Sequence, residues 1–514
     1  MPETKTNNKR IAKNTVYLYF RMILVLGVSL YTSRVVLHEL GVIDYGIYNV
    51  VAGIIVMFSF LNSSMATSTQ RFLTFELGKG NIEKLSSTFA ASLNIHIIIG
   101  FIILLLAETI GLWFVNYKLV IPVERMFAAN IAYQCSVISF MLNITQVPYT
   151  ASLIAHERMD VYAYLGILEA ITKLGVAFLL VIYGGDKLVF FSLMFLLTHG
   201  VILLLYRTYC IRKYMECHFR LFWNATLYKS LISFAGWNIF GSLAWACRGQ
   251  GVSILLNIFF GPELNAAKGI ADKVANSMIA FIRSFNTAMN PQITKYYAVD
   301  DRRAMEELCF KGTKFAFLLL FVIAFPAMLN IDFLLNLWLI EVPEYAALFV
   351  ILILIDSLLD VFLGTSQFIT ALQATGNIKY YQIVVSVLIM LVIPIGYLLF
   401  RIGGSPDVIF YAMIIVSFIS GLSRFAFCKF QIGFSLRRLC FNVWIPIFRF
   451  MLLSIPTLFL LKRFLSLYVS GIIGFILTII ISVFLIVICA WITIFSKSER
   501  ETVKVAIKGK INRK

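Results

Sequence analysis

Apolar stretches of about 20 residues, the length that carries a helix across a bilayer core of roughly 30 Å, follow one another along nearly the whole chain. About fourteen of them are read, at 14–36, 45–66, 89–115, 124–147, 161–183, 187–206, 233–259, 264–290, 313–331, 345–371, 379–400, 407–427, 440–461 and 467–495. Polar residues gather in short connections, punctuated by Gly184-Gly185, Gly261-Pro262 and Gly403-Gly404-Ser405-Pro406. No soluble domain interrupts the series. The pattern predicts an all-α polytopic membrane protein with about 14 transmembrane helices in two six-helix lobes plus two C-terminal helices.

A weak internal repeat supports the two lobes. The stretch Leu40-Gly41-Val42-Ile43-Asp44-Tyr45-Gly46-Ile47-Tyr48 has a counterpart in Phe260-Gly261-Pro262-Glu263-Leu264-Asn265. In each, a span ends at a Gly turn with an acid soon after, and a helix rich in Asn, Ser and Thr follows. The organisation expected is a cytoplasmic N-tail (1–13), an N-terminal lobe (14–206), a basic linker (207–232), a C-terminal lobe (233–428), two further spans (440–495) and a basic tail (496–514).

Composition sharpens the picture. Of 514 residues, 60% are hydrophobic and 14% charged, against about a quarter charged in a soluble protein, so a soluble globule is excluded. The net charge of +18 arises mostly in juxtamembrane runs around Arg207–Lys229, Arg302–Lys314, Arg424–Arg438 and Lys497–Lys514. Under the positive-inside rule these runs place both termini in the cytoplasm, and they suit contact with anionic membrane lipids. Nucleic acid gains no support beyond charge. The N-terminus reads as a cytoplasmic leader into a retained first helix. The eight cysteines are scattered and read as free thiols, and the five histidines form no metal or nucleophile constellation.

Charges inside the spans are the informative residues, because each costs about 2.5–3.5 kcal/mol at mid-bilayer without a partner or a wet cavity. Glu169 and Lys173, four apart on one helix, are expected to pair; Lys268 and Asp272 share the spacing in the less favourable order. The remainder is mostly cationic: Arg21, Arg248, Lys273, Arg283 and Arg449, with Arg34 near a span end. Such cations suit a hydrated cavity for an anionic ligand, and the planar fork of Arg suits a diphosphate. The plainer alternative is that they meet helix C-terminal carbonyls or lipid phosphates. Asp356 and Asp360 share one helical face. They suit Na⁺ or H⁺ coupling, or an interhelical ion pair with Arg248 or Lys273.

With the spans, the two halves, the Leu40–Tyr48 turn after an Arg-bearing helix and the Gln70-Arg71 helix end in view, the whole chain resembles the polysaccharide-biosynthesis branch of the multidrug/oligosaccharidyl-lipid/polysaccharide exporter superfamily, above all its O-antigen and capsular flippases. That resemblance implies a bacterial inner-membrane protein and not an enzyme. It would move an undecaprenyl-diphosphate oligosaccharide to the outer leaflet by alternating access, without a bound cofactor, beside polysaccharide polymerase and glycosyltransferases as partners. By helix position Arg21 and Arg283 match the required membrane-embedded arginines of related lipid II flippases, with Arg34 and Lys273 as secondary candidates. Two rivals stand beside it: a multidrug extrusion antiporter of the same superfamily, and a membrane-embedded polymerase or glycosyltransferase, for which the short outer loops offer little scaffold.

Overall fold

The computed structural model describes residues 2–56, 59–117, 121–260, 262–338, 342–468, 471–496 and 499–501. Among them every regular element is helical, as the run of apolar stretches requires, since a helix satisfies its own backbone groups in hydrocarbon. The main helices are α1 (Pro2–Val56), α2 (Ser59–Lys79), α3 (Ile82–Leu106), α4 (Met126–Ala155), α5 (Met159–Ile182), α6 (Lys187–Lys213), α7 (Ala225–Phe260) and α8 (Pro262–Ala298). They continue with α9 (Arg302–Leu329), α10 (Ala346–Phe362), α11 (Thr365–Thr375), α12 (Lys379–Met390), α13 (Val392–Arg401), α14 (Val408–Ile432), α15 (Ile445–Tyr468) and α16 (Gly471–Thr493).

Eleven of the described helices are long and apolar enough to cross a membrane, or twelve if the bent pair α10–α11 is one span. The all-helical multi-pass class therefore stands. The two apolar stretches at 45–66 and 264–290 account for most of the difference from about fourteen. Part of 45–66 lies outside the described residues, and 264–290 carries Lys268, Asp272, Lys273 and Arg283, which make α8 amphipathic rather than uniformly apolar.

Local chemistry sets the breaks. Gly41 interrupts α1 at φ 72°, ψ 169°, a backbone region open essentially to glycine alone. Asn81 caps α3 by accepting from Lys84 N–H at 2.9 Å. Asp186 caps α6 through Leu188 and Val189 N–H and also binds Arg125 at 2.7 Å.

The chain divides into two compact units. The first comprises Met1–Leu243, Thr287–Asp301 and Gly376–Lys379; the second comprises Ala244–Asn286, Arg302–Thr375 and Tyr380–Lys514. In the first, α4 buries Ala128, Ala129, Ala132, Ala151 and Ala155, small residues that let neighbouring helices approach closely. In the second, Phe317, Phe321, Phe325 and Phe450 interlock, with Phe321 and Phe450 at 5.0 Å between ring centres. There α16 is amphipathic in the membrane sense: Gly474, Thr478, Ser482 and Ile486 are buried at four-residue spacing, while Ile473, Ile476, Ile480 and Phe484 are exposed. Mostly small and polar groups face protein, and large apolar groups are left to face lipid.

Candidate functional site

The first unit contains a cavity of about 330 Å³. One face of α1 lines it with Arg21, Val25, Val28, Thr32 and Val36, and one face of α5 with Gly166, Glu169, Ala170 and Lys173. Both sets follow helical spacing, so each helix turns a single stripe inward. Glu169 and Lys173 pair at 2.7 Å, the expected local contact, and Lys173 also lies 4.8 Å from the Phe195 ring.

Arg21 has no carboxylate partner among the described residues. Its guanidinium stacks 4.6 Å from the Tyr162 ring, a cation–π contact, and its buried Nε has no hydrogen-bond partner. The buried Thr32 hydroxyl likewise lacks one. Gly166 makes room: a Cβ there would lie 2.1 Å from Arg21 Nε. With Glu169 neutralising Lys173, the lining keeps one net positive charge, that of Arg21. Such a cavity can hold an amphiphile of modest size whose polar head is anionic or neutral.

The second unit places its charges differently. Arg248 on α7 donates to Asp356 on α10 at 2.7 Å, with side chains 3% and 14% exposed, and stacks 5.1 Å from Trp245. One helical turn on, Asp360 lies 3.6 Å from Arg424 of α14, whose Nη1 also donates to Thr365 Oγ1 at 3.1 Å and Ser420 Oγ at 3.3 Å. The two Asp and two Arg form a quartet without net charge, its arginines buried and its aspartates partly so. It sits beside the 46° bend between α10 and α11, where Gly364 adopts φ 71°, and Asn286, Ser366 and Gln367 hydrogen-bond nearby at 2.7 and 2.9 Å. Broken helices beside buried charge are a recurrent device of transport proteins. Asp356 Oδ1, Asp360 Oδ1, Arg248 Nε and Arg424 Nε and Nη2 are buried without a hydrogen-bond partner, so the quartet is not saturated.

Of the residues singled out from sequence, the structure thus brings Arg248 to Asp356, the ion-pair alternative, and sets Asp360 beside Arg424. Lys273 and Arg283 are exposed on α8, and Lys268 pairs with Asp272 at 2.6 Å. Arg449 is exposed on α15. The Arg34 side chain lies outside the described residues. Arg424 is the main residue missed: counted in a juxtamembrane basic run, it is 1% exposed inside α14. The signal was present in Ser417, Ser420, Gly421 and Arg424, a small-and-polar stripe at helical spacing in an apolar helix.

A second missed group is Glu157, in the turn between α4 and α5. Its carboxylate, 1% exposed, accepts from Lys295 Nζ at 2.6 Å, Gln292 Nε2 at 2.6 Å and Arg10 Nη1 at 3.3 Å. Its carbonyl accepts from Asn14 Nδ2 at 3.1 Å, and its φ is 58°. Burial pushes this carboxyl up, but Lys295, Gln292 and Arg10 outweigh burial and hold it below its ordinary range.

A family model described as MatE matches residues 239–398, and no curated protein matches the chain. Among solved structures, an outward-facing multidrug resistance MATE family transporter of the MOP superfamily aligns with TM-score 0.69 at 13% identity, over 82% of this chain and 96% of that one. MATE in the bent conformation gives 0.70 at 14%, over 83% and 96%. A MOP superfamily transporter from Pyrococcus furiosus Vc1 (DSM3638), described as having a binding pocket of reverse polarity that suggests a different function, gives 0.66 at 13%, over 84% and 96%. At these identities the likeness is one of fold: the chain has the MATE fold of MOP superfamily transporters.

Proposed function

We propose that the chain is a multi-pass membrane transporter of the MOP superfamily that exports an amphiphilic organic solute by alternating exposure of intramembrane cavities. The observation that carries this reading is the fold likeness, which spans 82–84% of this chain and 96% of each neighbour. The MatE match over 239–398 supports it independently. Extrusion of drug-like compounds is the substrate reading with most support, since one of the neighbours is described as a multidrug resistance transporter. The cavity refines it: with Arg21 as its one uncompensated charge, the fitting solute is anionic or neutral rather than cationic.

Flippase activity on an undecaprenyl-diphosphate oligosaccharide is a second reading, favoured by one observation. Arg21 is a half-buried, fork-shaped cation whose buried Nε has no hydrogen-bond partner and which has no carboxylate partner among the described residues, the group that suits a diphosphate. Coupling to Na⁺ or H⁺ through Asp356 and Asp360 would require either carboxylate to leave its arginine. On both readings the protein acts at a bacterial inner membrane with cytoplasmic termini.

The two readings part in one experiment. The chain is expressed in a pump-deficient host and removed from its own host. On the drug reading, susceptibility to anionic or neutral amphiphilic compounds falls with expression and surface glycan is unchanged by removal. Accumulation of a lipid-linked glycan with no change in susceptibility would overturn the drug reading in favour of the flippase.

A further inference from the structure

A second cavity, of about 420 Å³, lies within the second unit. The first turns of α9, the helical turns Leu436–Leu439 and Cys440–Trp444 that lead into α15, and the residues following α16 line it. Those are neighbouring ends of three candidate spans, so the cavity lies at headgroup level. It has no part in either site described above.

Its charges pair almost completely. Arg438 Nη1 donates to Glu306 Oε2 at 2.7 Å, and Arg303 lies 3.6 Å from Glu307. Lys314, only 8% exposed, donates to both oxygens of Glu499 at 3.1 and 3.2 Å. Lys311 remains: half-buried, lining the cavity, and without a carboxylate partner among the described residues. Four cations thus face three carboxylates. Phe310, Phe441 and Phe495 add an apolar wall.

Local chemistry fixes the counterion of Lys314. Ser496 N–H donates to Glu499 Oε2 at 2.8 Å while Glu499 N–H donates to Ser496 Oγ at 3.3 Å, a reciprocal Ser-x-x-Glu cap. Arg500 donates to the carbonyls of Ile492 at 2.8 Å and Phe495 at 3.0 Å, closing the end of α16. Glu499 is therefore committed to Lys314, and the charge of Lys311 is left over.

We propose that this cavity binds the phosphate headgroup of an anionic membrane lipid, with Lys311 supplying the uncompensated charge and the phenylalanines an apolar wall. A free phosphate offers the same charge without the apolar part. The basic residues around it place the cavity on the cytoplasmic leaflet.

The test is native mass spectrometry of the purified full chain in detergent, titrated separately with phosphatidylglycerol, phosphatidylcholine and inorganic phosphate. Wild type is expected to retain phosphatidylglycerol in preference to phosphatidylcholine. Lys311→Gln should weaken phosphatidylglycerol retention roughly five-fold, the effect of about one surface cation, and Lys311→Arg should restore it. Because Lys311 is half-buried and unpaired, Lys311→Gln is expected to melt with wild type, and Lys311→Arg provides the comparison if it does not. Equal retention of phosphatidylglycerol by wild type and Lys311→Gln would overturn the proposal. So would binding of inorganic phosphate without lipid preference, which would make the cavity a free-anion site.

Discussion

Replacing Arg248 by Met removes the cation that lies 2.7 Å from Asp356 in a site where the two side chains are 3% and 14% exposed. The carboxylate left behind already has one buried oxygen without a hydrogen bond, and Arg424 is committed to Asp360, Thr365 and Ser420. Removing one partner of a buried pair costs about 3–5 kcal/mol, whereas exchanging both for apolar residues of similar volume is often neutral or stabilising by about 1–4 kcal/mol. Thermal unfolding of the purified protein in one detergent, followed by tryptophan fluorescence, should therefore order the variants: Arg248→Met well below wild type, and Arg248→Met/Asp356→Leu back near it. The restoration is the diagnostic result, since packing loss alone would add in the double variant. A double variant as unstable as the sum of the singles, or an Arg248→Met protein that melts with wild type, would refute the ion-pair account.

Glu157 is held below its ordinary pKa of 4.5, so its contribution to stability is fully present above pH 4.5 and is lost as pH falls through the lower folded value. Glu157→Gln should flatten the stability profile in that acid window and lower the plateau above it; a variant profile parallel to wild type throughout would contradict the cluster. Gly166→Ala would put a Cβ 2.1 Å from Arg21 Nε, and because the atom it meets belongs to a flexible side chain, the guanidinium should move while the fold survives. Export should fall with melting nearly unchanged, and unaltered export would count against the placement of Arg21.

Much of this was legible in the chain. The i,i+4 pairs Glu169/Lys173 and Lys268/Asp272 are local and follow from helical spacing, and Gly41 breaks its helix at the turn the sequence marks. The Arg248–Asp356 contact was one of two open readings, because spacing places two carboxylates on a face without saying what faces them. Arg424 was misplaced because proximity to a basic run outweighed the Ser417–Arg424 stripe. Glu157 was illegible for a different reason: its partners Arg10 and Lys295 lie 147 and 138 residues away along the chain, and a charged residue in a short turn has no periodicity to reveal its burial.

The central claim is that an exporter with the MATE fold holds an anionic or neutral amphiphile at Arg21. Its most direct test is energised inverted membrane vesicles carrying wild type or Arg21→Gln, assayed for uptake of the anionic dye 8-anilinonaphthalene-1-sulfonate beside the cationic dye rhodamine 6G. Wild type should concentrate the anionic dye and leave the cationic one, and Arg21→Gln should lose about tenfold or more of the anionic uptake, the worth of one charge-assisted hydrogen bond. Preference for the cationic dye, or equal anionic uptake by wild type and Arg21→Gln, would contradict the account.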